Sequence, residues 1–168
     1  ELTNWNNLSY YVLNAERSPL IYSTTDGKTT KLSSGMVDGI SHNVDDINQQ
    51  FIIARTSSTP EGYYYLYSMG AKKFVGADLS FTDFPEPILS FEPSGDKLYP
   101  WFVKINDKYV VPGANGTAGN KVYHVATADN DEGKRYQIVD AQKAFDWEND
   151  MSIFTSIERA EGMLTEGS

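Results

Sequence analysis

The stretch Asn48-Gln49-Gln50-Phe51-Ile52-Ile53-Ala54 (NQQFIIA) runs three amide side chains straight into an apolar segment in which no charge appears until Arg55. A strand that leaves solvent must pair its backbone N–H and C=O groups, because unpaired groups out of water are costly. Gln49 is therefore read as a structural amide that ties the preceding loop to the entrance of the strand. Asn48 admits two readings: the same structural task, or an amide that reaches a ligand hydroxyl.

Outward from this segment, short runs rich in Tyr, Val, Ile and Phe recur between clusters of Gly, Pro, Asn, Asp and Ser. They include SYYVLNA (9–15), PLIYSTT (19–25), GYYYLYS (62–68), KKFVGAD (72–78), PILSFEP (87–93), PWFVKIN (100–106), KYVVPGA (108–114), KVYHVAT (121–127) and RYQIVDA (135–141). Many short strands joined by turn chemistry predict an all-β barrel or sandwich. Helical periodicity is hard to find before residue 140.

The runs also repeat. YYVLNAERSPLIYS from Tyr10 lines up with YYYLYSMGAKKFVGA from Tyr63 after one insertion at the turn. A shift of 35 residues lays KKFVGAD on DKYVVPG and PWFVKI on RYQIVD without a gap. Three units follow, roughly 7–58, 61–106 and 107–141. Three units of short strands point to a pseudo-threefold barrel, since a propeller normally has at least four blades. A β-trefoil is the simplest such fold. The closing strands of its units would carry Phe51, Trp101 and Tyr136, meeting near the axis. The third unit is short, and one of its strands is expected to be lost or displaced.

With NQQF as the best preserved copy, the chain resembles ricin-type β-trefoil lectins, whose repeats end in Gln-any-Trp. The hairpins YYYLYSMGAKKFVGAD and YPWFVKINDKYVV are more specifically similar to trefoil modules appended to surface and secreted glycan-processing proteins of gut Bacteroidetes. The likeness spans residues 5–141 and implies carbohydrate binding. The departures are definite. Tyr99-Pro100-Trp101 and Lys134-Arg135-Tyr136 stand where the second and third Gln-any-Trp would be. The carboxylate that lectin repeats place after the apolar pair of the second strand is replaced by Tyr22, Gly76 and Pro112. Asp26 and Asp78, a few residues downstream, are the candidate substitutes, and with Tyr22 and Asn48 they form the expected sugar-binding set.

Composition narrows the classes of partner. The formal charge of −9 repels a phosphate backbone, and no Lys/Arg-rich patch offsets it, so nucleic acid is not expected. The lack of cysteine excludes disulfides and thiolate metal sites, and there is no run of 18 apolar residues to span a membrane. The chain starts at Glu1 and is expected to be a mature or trimmed piece of a secreted or surface protein. DNDEG (129–133) has the acidic spacing that opens a calcium loop but lacks the Glu twelve positions along, so it reads as an acidic hairpin turn, and no metal or cofactor is expected. His42 and His124 are the only histidines, and neither sits in a nucleophile motif.

Past residue 141 the strand signature fades, and Phe145, Ile153, Phe154, Ile157 and Leu164 outline an imperfect apolar helix face. Residues 142–168 are an extension packed over the barrel or a linker to another domain. The expectation from sequence is thus a non-enzymatic glycan-binding trefoil, attached to a catalytic domain of the same polypeptide. The alternative is a structural or protein-interaction trefoil with no sugar site.

Overall fold

The computed structural model describes residues 9–23, 31–35, 40–117 and 122–162. Twelve strands, a short 3-10 turn (Ile47–Gln49) and one α-helix are present among them. In chain order these are β1 (Ser9–Ala15), β2 (Ser18–Ile21), β3 (Ser33–Gly35), β4 (Phe51–Ala54), β5 (Tyr65–Ser68), β6 (Lys73–Val75) and β7 (Phe81–Thr82). There follow β8 (Leu89–Pro93), β9 (Trp101–Ile105), β10 (Lys108–Thr117), β11 (Val122–Ala128), β12 (Tyr136–Ala144) and α1 (Met151–Ala160). The all-β expectation holds.

All pairings are antiparallel, and the sheet closes on itself. The order β12-β9-β10-β11-β3-β2-β1 returns to its start because β1 also pairs with β12, which makes a closed seven-stranded barrel. Further strands branch from it through β1–β4, β4–β5 and β8–β9, and a single bridge, Tyr64↔Leu89, links the approach to β5 with β8. Closure leaves no edge within that ring, whereas the branch β4-β5-β6-β7 ends at β7. At the β9–β10 turn, Asn106 and Asp107 both have positive φ, 54° and 64°. These are the backbone angles a two-residue turn needs to match the twist of its strands, and Asn and Asp tolerate them.

Tyr11 pairs with Phe51, Tyr64 with Leu89, and Trp101 with Tyr136. Phe51, Leu89 and Tyr136 are all fully buried in one central cluster. Trp101 is not their counterpart: it opens β9, is half-buried, and turns its ring edge toward Phe91 at 6.1 Å. The 35-residue shift had laid β9 on β12, which are partners rather than equivalents. Any two strands with an aromatic followed by alternating β-branched residues match in this way, because strand periodicity is two wherever the strand sits. WFVKI is β9, and its Trp101 pairs with Tyr136 at the start of β12.

The segment FIIA has no polar position because both its faces are covered. Phe51 and Ile53 point into the barrel, whereas Ile52 and Ala54 join a second cluster with Tyr65, Met69, Phe74, Phe145, Ile153 and Ile157. That second layer is closed by α1, whose Ile153 and Ile157 lie one turn apart on its buried face. The boundary drawn at residue 141 falls inside β12, and the chain from Phe145 to Glu161 lies against the barrel. Leu164 lies outside the described residues.

Candidate functional site

The amides that open β4 are spent on the loop before it. Gln49, 1% exposed, accepts the Asn43 N–H at 2.8 Å through Oε1, and its Nε2 donates to the Ser41 carbonyl at 3.4 Å. Gln50 donates to the Val44 carbonyl at 2.8 Å. Asn48 accepts the Tyr22 N–H on its backbone carbonyl at 2.8 Å, and the Tyr22 ring meets Phe81 edge-on at 5.3 Å. Gly70 allows this packing, since a Cβ there would stand 2.5 Å from Asn48 Oδ1 and 2.9 Å from its Cα. Tyr22 and Asn48 are therefore neighbours.

Asp78 does local work in the β6–β7 turn. Its carboxylate accepts from the Ser80 N–H at 3.0 Å and the Ser80 hydroxyl at 3.2 Å. The backbone bond, aided by the Ser80 hydroxyl and the charge of Lys31, holds its pKa below the usual carboxylate range. Asp26 lies outside the described residues. Neither Tyr22, Asn48 nor Asp78 lines the clefts described next.

Two clefts flank the β1–β2 turn and share one lining residue, Tyr99. The larger, about 350 Å³, is lined by Glu16 and Ser18 of that turn region, Asp96 and Tyr99 of the β8–β9 loop, and Gly133, Lys134 and Arg135 ahead of β12. The smaller, about 250 Å³, is lined by Asn14, Arg17, Ser41, His42, Tyr99 and Gln137. Three chain segments remote in sequence thus converge around Tyr99.

Tyr99 is held in place by its loop. Asp96 accepts the N–H groups of Leu98 at 2.8 Å and Tyr99 at 2.9 Å, and these bonds, Tyr99's first, keep the Asp96 carboxyl below its ordinary pKa. The Ser94 hydroxyl donates to the Tyr99 carbonyl at 2.5 Å, and the Ser94 N–H donates to the Pro100 carbonyl at 2.9 Å. Gln137 on β12 adds a bond from Nε2 to the Leu98 carbonyl at 3.1 Å. A main chain so ordered lowers the ordering cost of meeting a ligand at this loop.

The far wall is also anchored. Asp131 accepts the Gly133 N–H at 3.0 Å in a turn where Glu132 and Gly133 have φ of 47° and 76°; DNDEG is thus a turn, but not the expected hairpin, because β11 pairs with β10 and β3 whereas β12 pairs with β1 and β9. No group of three or more potential metal ligands occurs among the described residues. The Arg135 guanidinium lies over the Phe102 ring, 5.4 Å from its centroid. Two carboxylates, Glu16 and Asp96, face two cations, Lys134 and Arg135, so the larger cleft presents acceptors and donors with no net preference of charge. That combination suits a neutral ligand with many hydroxyls and one apolar face.

The residues of this site carry no binding signature in the sequence. Tyr99 and Lys134 stand where a Gln would precede the aromatic of a Gln-any-Trp repeat, and so read as departures from it. Gln49 at the corresponding place is buried and structural, whereas Tyr99 and Lys134 line the larger cleft. Asn14 and Gln137 carry no motif, and only the β1–β12 register sets them face to face. His124, on β11, lies 3.3 Å through Nδ1 from the Ser33 hydroxyl, away from both clefts. No helix among the described residues is long and apolar enough to cross a membrane. No protein-family model, curated protein or solved structure matches the chain.

Proposed function

We propose that this chain is a non-catalytic carbohydrate-binding module of β-trefoil architecture, one part of a larger secreted or cell-surface glycan-processing protein. The trefoil reading draws on the ring of pairings β1-β4-β5 and β8-β9-β12-β1, joined by the Tyr64↔Leu89 bridge. It draws equally on the three hairpins β2–β3, β6–β7 and β10–β11, one in each successive set of four strands. The binding reading rests on one observation: Tyr99, fixed by its loop, stands between two polar clefts of a size that holds one or two sugar rings. The pyranose would stack its apolar face on Tyr99, while Glu16, Asp96 and Arg135 meet its hydroxyls in the larger cleft.

A glycan array followed by calorimetric titration tests the reading. Binding by the parent protein that is lost in Tyr99→Ala, with thermal stability retained, is the expected result. Failure across plant, host and microbial glycans would sink it. A second reading, a protein-interaction domain without a sugar site, is favoured by Phe84, which is 74% exposed beside Pro85 and Arg159 of α1. A Phe84→Ser variant that loses association with a neighbouring domain, in a protein that binds no glycan, would decide for it.

A further inference from the structure

Phe102 is 7% exposed, yet it belongs to neither apolar cluster of the fold. Its neighbours Val103 and Ile105 lie in the central cluster, so the alternation of β9 turns Phe102 and Lys104 to the outside of the barrel. The cross-strand surroundings there are polar and aromatic. Glu92 on β8 stands directly across from Phe102, and Tyr109 on β10 stands across from Lys104. The Tyr109 hydroxyl donates to Glu92 at 2.8 Å, and its ring meets that of Phe102 edge-on at 5.5 Å. The Lys104 ammonium sits over the Tyr109 ring, 4.8 Å from its centroid. Strand register and one charge-assisted hydrogen bond thus hold the pair of rings. Over the Phe102 ring lies the Arg135 guanidinium, 5.4 Å from its centroid.

We propose that Phe102 is a positioning residue for the larger cleft, its ring holding the Arg135 guanidinium where the N–H donors can meet the hydroxyls of a bound sugar. This role rests on the glycan reading above and accounts for a buried ring that serves neither core. Among the described residues the Arg135 side chain makes one hydrogen bond, from Nη1 to the Gly133 carbonyl at 3.4 Å, and no ion pair, so a ring rather than a carboxylate orients it. A cation drawn to an aromatic face spends no N–H on it, and the donors stay available to acceptors. The charge also reaches the cleft. Beyond the bonds from the Tyr99 and Leu98 N–H groups, Arg135 lowers the pKa of Asp96, which lines the same cavity.

The test uses the whole chain and four probes: the methyl glycosides of glucose, galactose and mannose, and N-acetylglucosamine. Proton–nitrogen and aromatic NMR titrations follow the Arg135 Nε–H and the Tyr99 ring. A probe that moves the Tyr99 ring is expected to move the Arg135 resonance with it. Phe102→Leu is expected to weaken that probe about threefold to tenfold, whereas Phe102→Tyr, which keeps the ring, restores the binding. In an Arg135→Met protein, itself weakened about tenfold, Phe102→Leu should bring no further loss. A ring that only stabilises the barrel gives another pattern: Phe102→Leu then weakens the Arg135→Met protein as much as the parent. That pattern, an unmoved Arg135 resonance, or undiminished binding by Phe102→Leu would overturn the positioning role and leave the glycan reading intact. If no probe moves Tyr99, the role falls with the reading on which it rests.

Discussion

Tyr10 and Asp150 are 140 residues apart in the chain and are joined by a hydrogen bond of 2.6 Å from the phenol to the carboxylate. The same Asp150 accepts the Asp146 N–H at 3.1 Å and offers its backbone carbonyl to the Ile153 N–H at 3.0 Å, so one residue ties the start of α1 to β1. At the other end, Glu161 accepts from the hydroxyls of Thr56, Thr59 at 2.7 Å and Tyr65 at 2.8 Å. The helix is clamped at both ends over the second apolar cluster.

Its packing should therefore be costly to lose. Ile157 is fully buried against the face of β4 that carries Ile52, and Ile157→Ala is expected to destabilise the domain by about 2–5 kcal/mol. Met151, on the exposed side of the same helix, should change stability by less than about 0.5 kcal/mol when replaced by Ala. Urea denaturation of the two variants checks this. Equal, small losses would mean that α1 contributes little to the fold.

The same clamps predict an alkaline transition. Burial, then the bond to Asp150, raises the pKa of Tyr10, and burial, then Glu161, raises that of Tyr65. A phenol whose folded pKa lies above its unfolded value stabilises the fold fully below the unfolded pKa, about 10, and that contribution drains away as pH rises beyond it. Stability measured by denaturant should be flat from pH 7 to about 9.5 and fall above about 10. The Tyr10→Phe, Tyr65→Phe double variant should fall less steeply. An unchanged slope in that variant would place the transition elsewhere, for instance on the fully buried Tyr136.

How much of this was legible beforehand depends on the residue. The turn residues and recurrent aromatic runs marked the strands, and Gln49 marked a loop tie, because these act through local chemistry. Leu89 could not be recognised as sharing the central cluster with Phe51 and Tyr136, since a buried leucine carries no signature. The unbroken apolar run of FIIA did hold a signal: a strand with no polar alternation is covered on both faces, which implies a layer outside the barrel. Tyr99, Asn14 and Gln137 became visible as a group only through strand register, a property of the fold rather than of any local segment.

Gly70 gives a sharper test of the neighbourhood around NQQFIIA. A Cβ at Gly70 would lie 2.9 Å from the Asn48 Cα and 3.1 Å from the Tyr22 ring, and the backbone atom cannot yield as a flexible side chain would. Gly70→Ala is expected to cost about 1–3 kcal/mol by forcing the two segments apart. Thermal denaturation of this variant beside Gly95→Ala separates contact from conformation. Gly95 has open space around it, and φ of 81° is its only constraint. A loss at Gly70 no larger than at Gly95 would show that the Tyr22–Asn48 contact can relax freely.

The Tyr99 loop should loosen in acid before the barrel does. Its Asp96 carboxylate is exposed, and its lowered pKa comes from bonds to the N–H groups of Tyr99 and Leu98 rather than from burial. A carboxyl whose folded pKa is depressed stabilises the structure above its unfolded pKa, about 3.9, and loses that contribution as pH falls through the lower folded value. The Leu98 and Tyr99 amides should therefore keep their hydrogen-exchange protection at pH 5 and above, and lose it below about 3.9 while those of β4 remain protected. Asp96→Ala should show the loosened loop already at neutral pH and weaken any ligand that stacks on Tyr99, with global stability little changed, because the loop lies outside both apolar clusters. Retained protection of both amides in that variant would mean that Ser94 and Gln137 hold the loop without Asp96, and that acid acts on the site by another route.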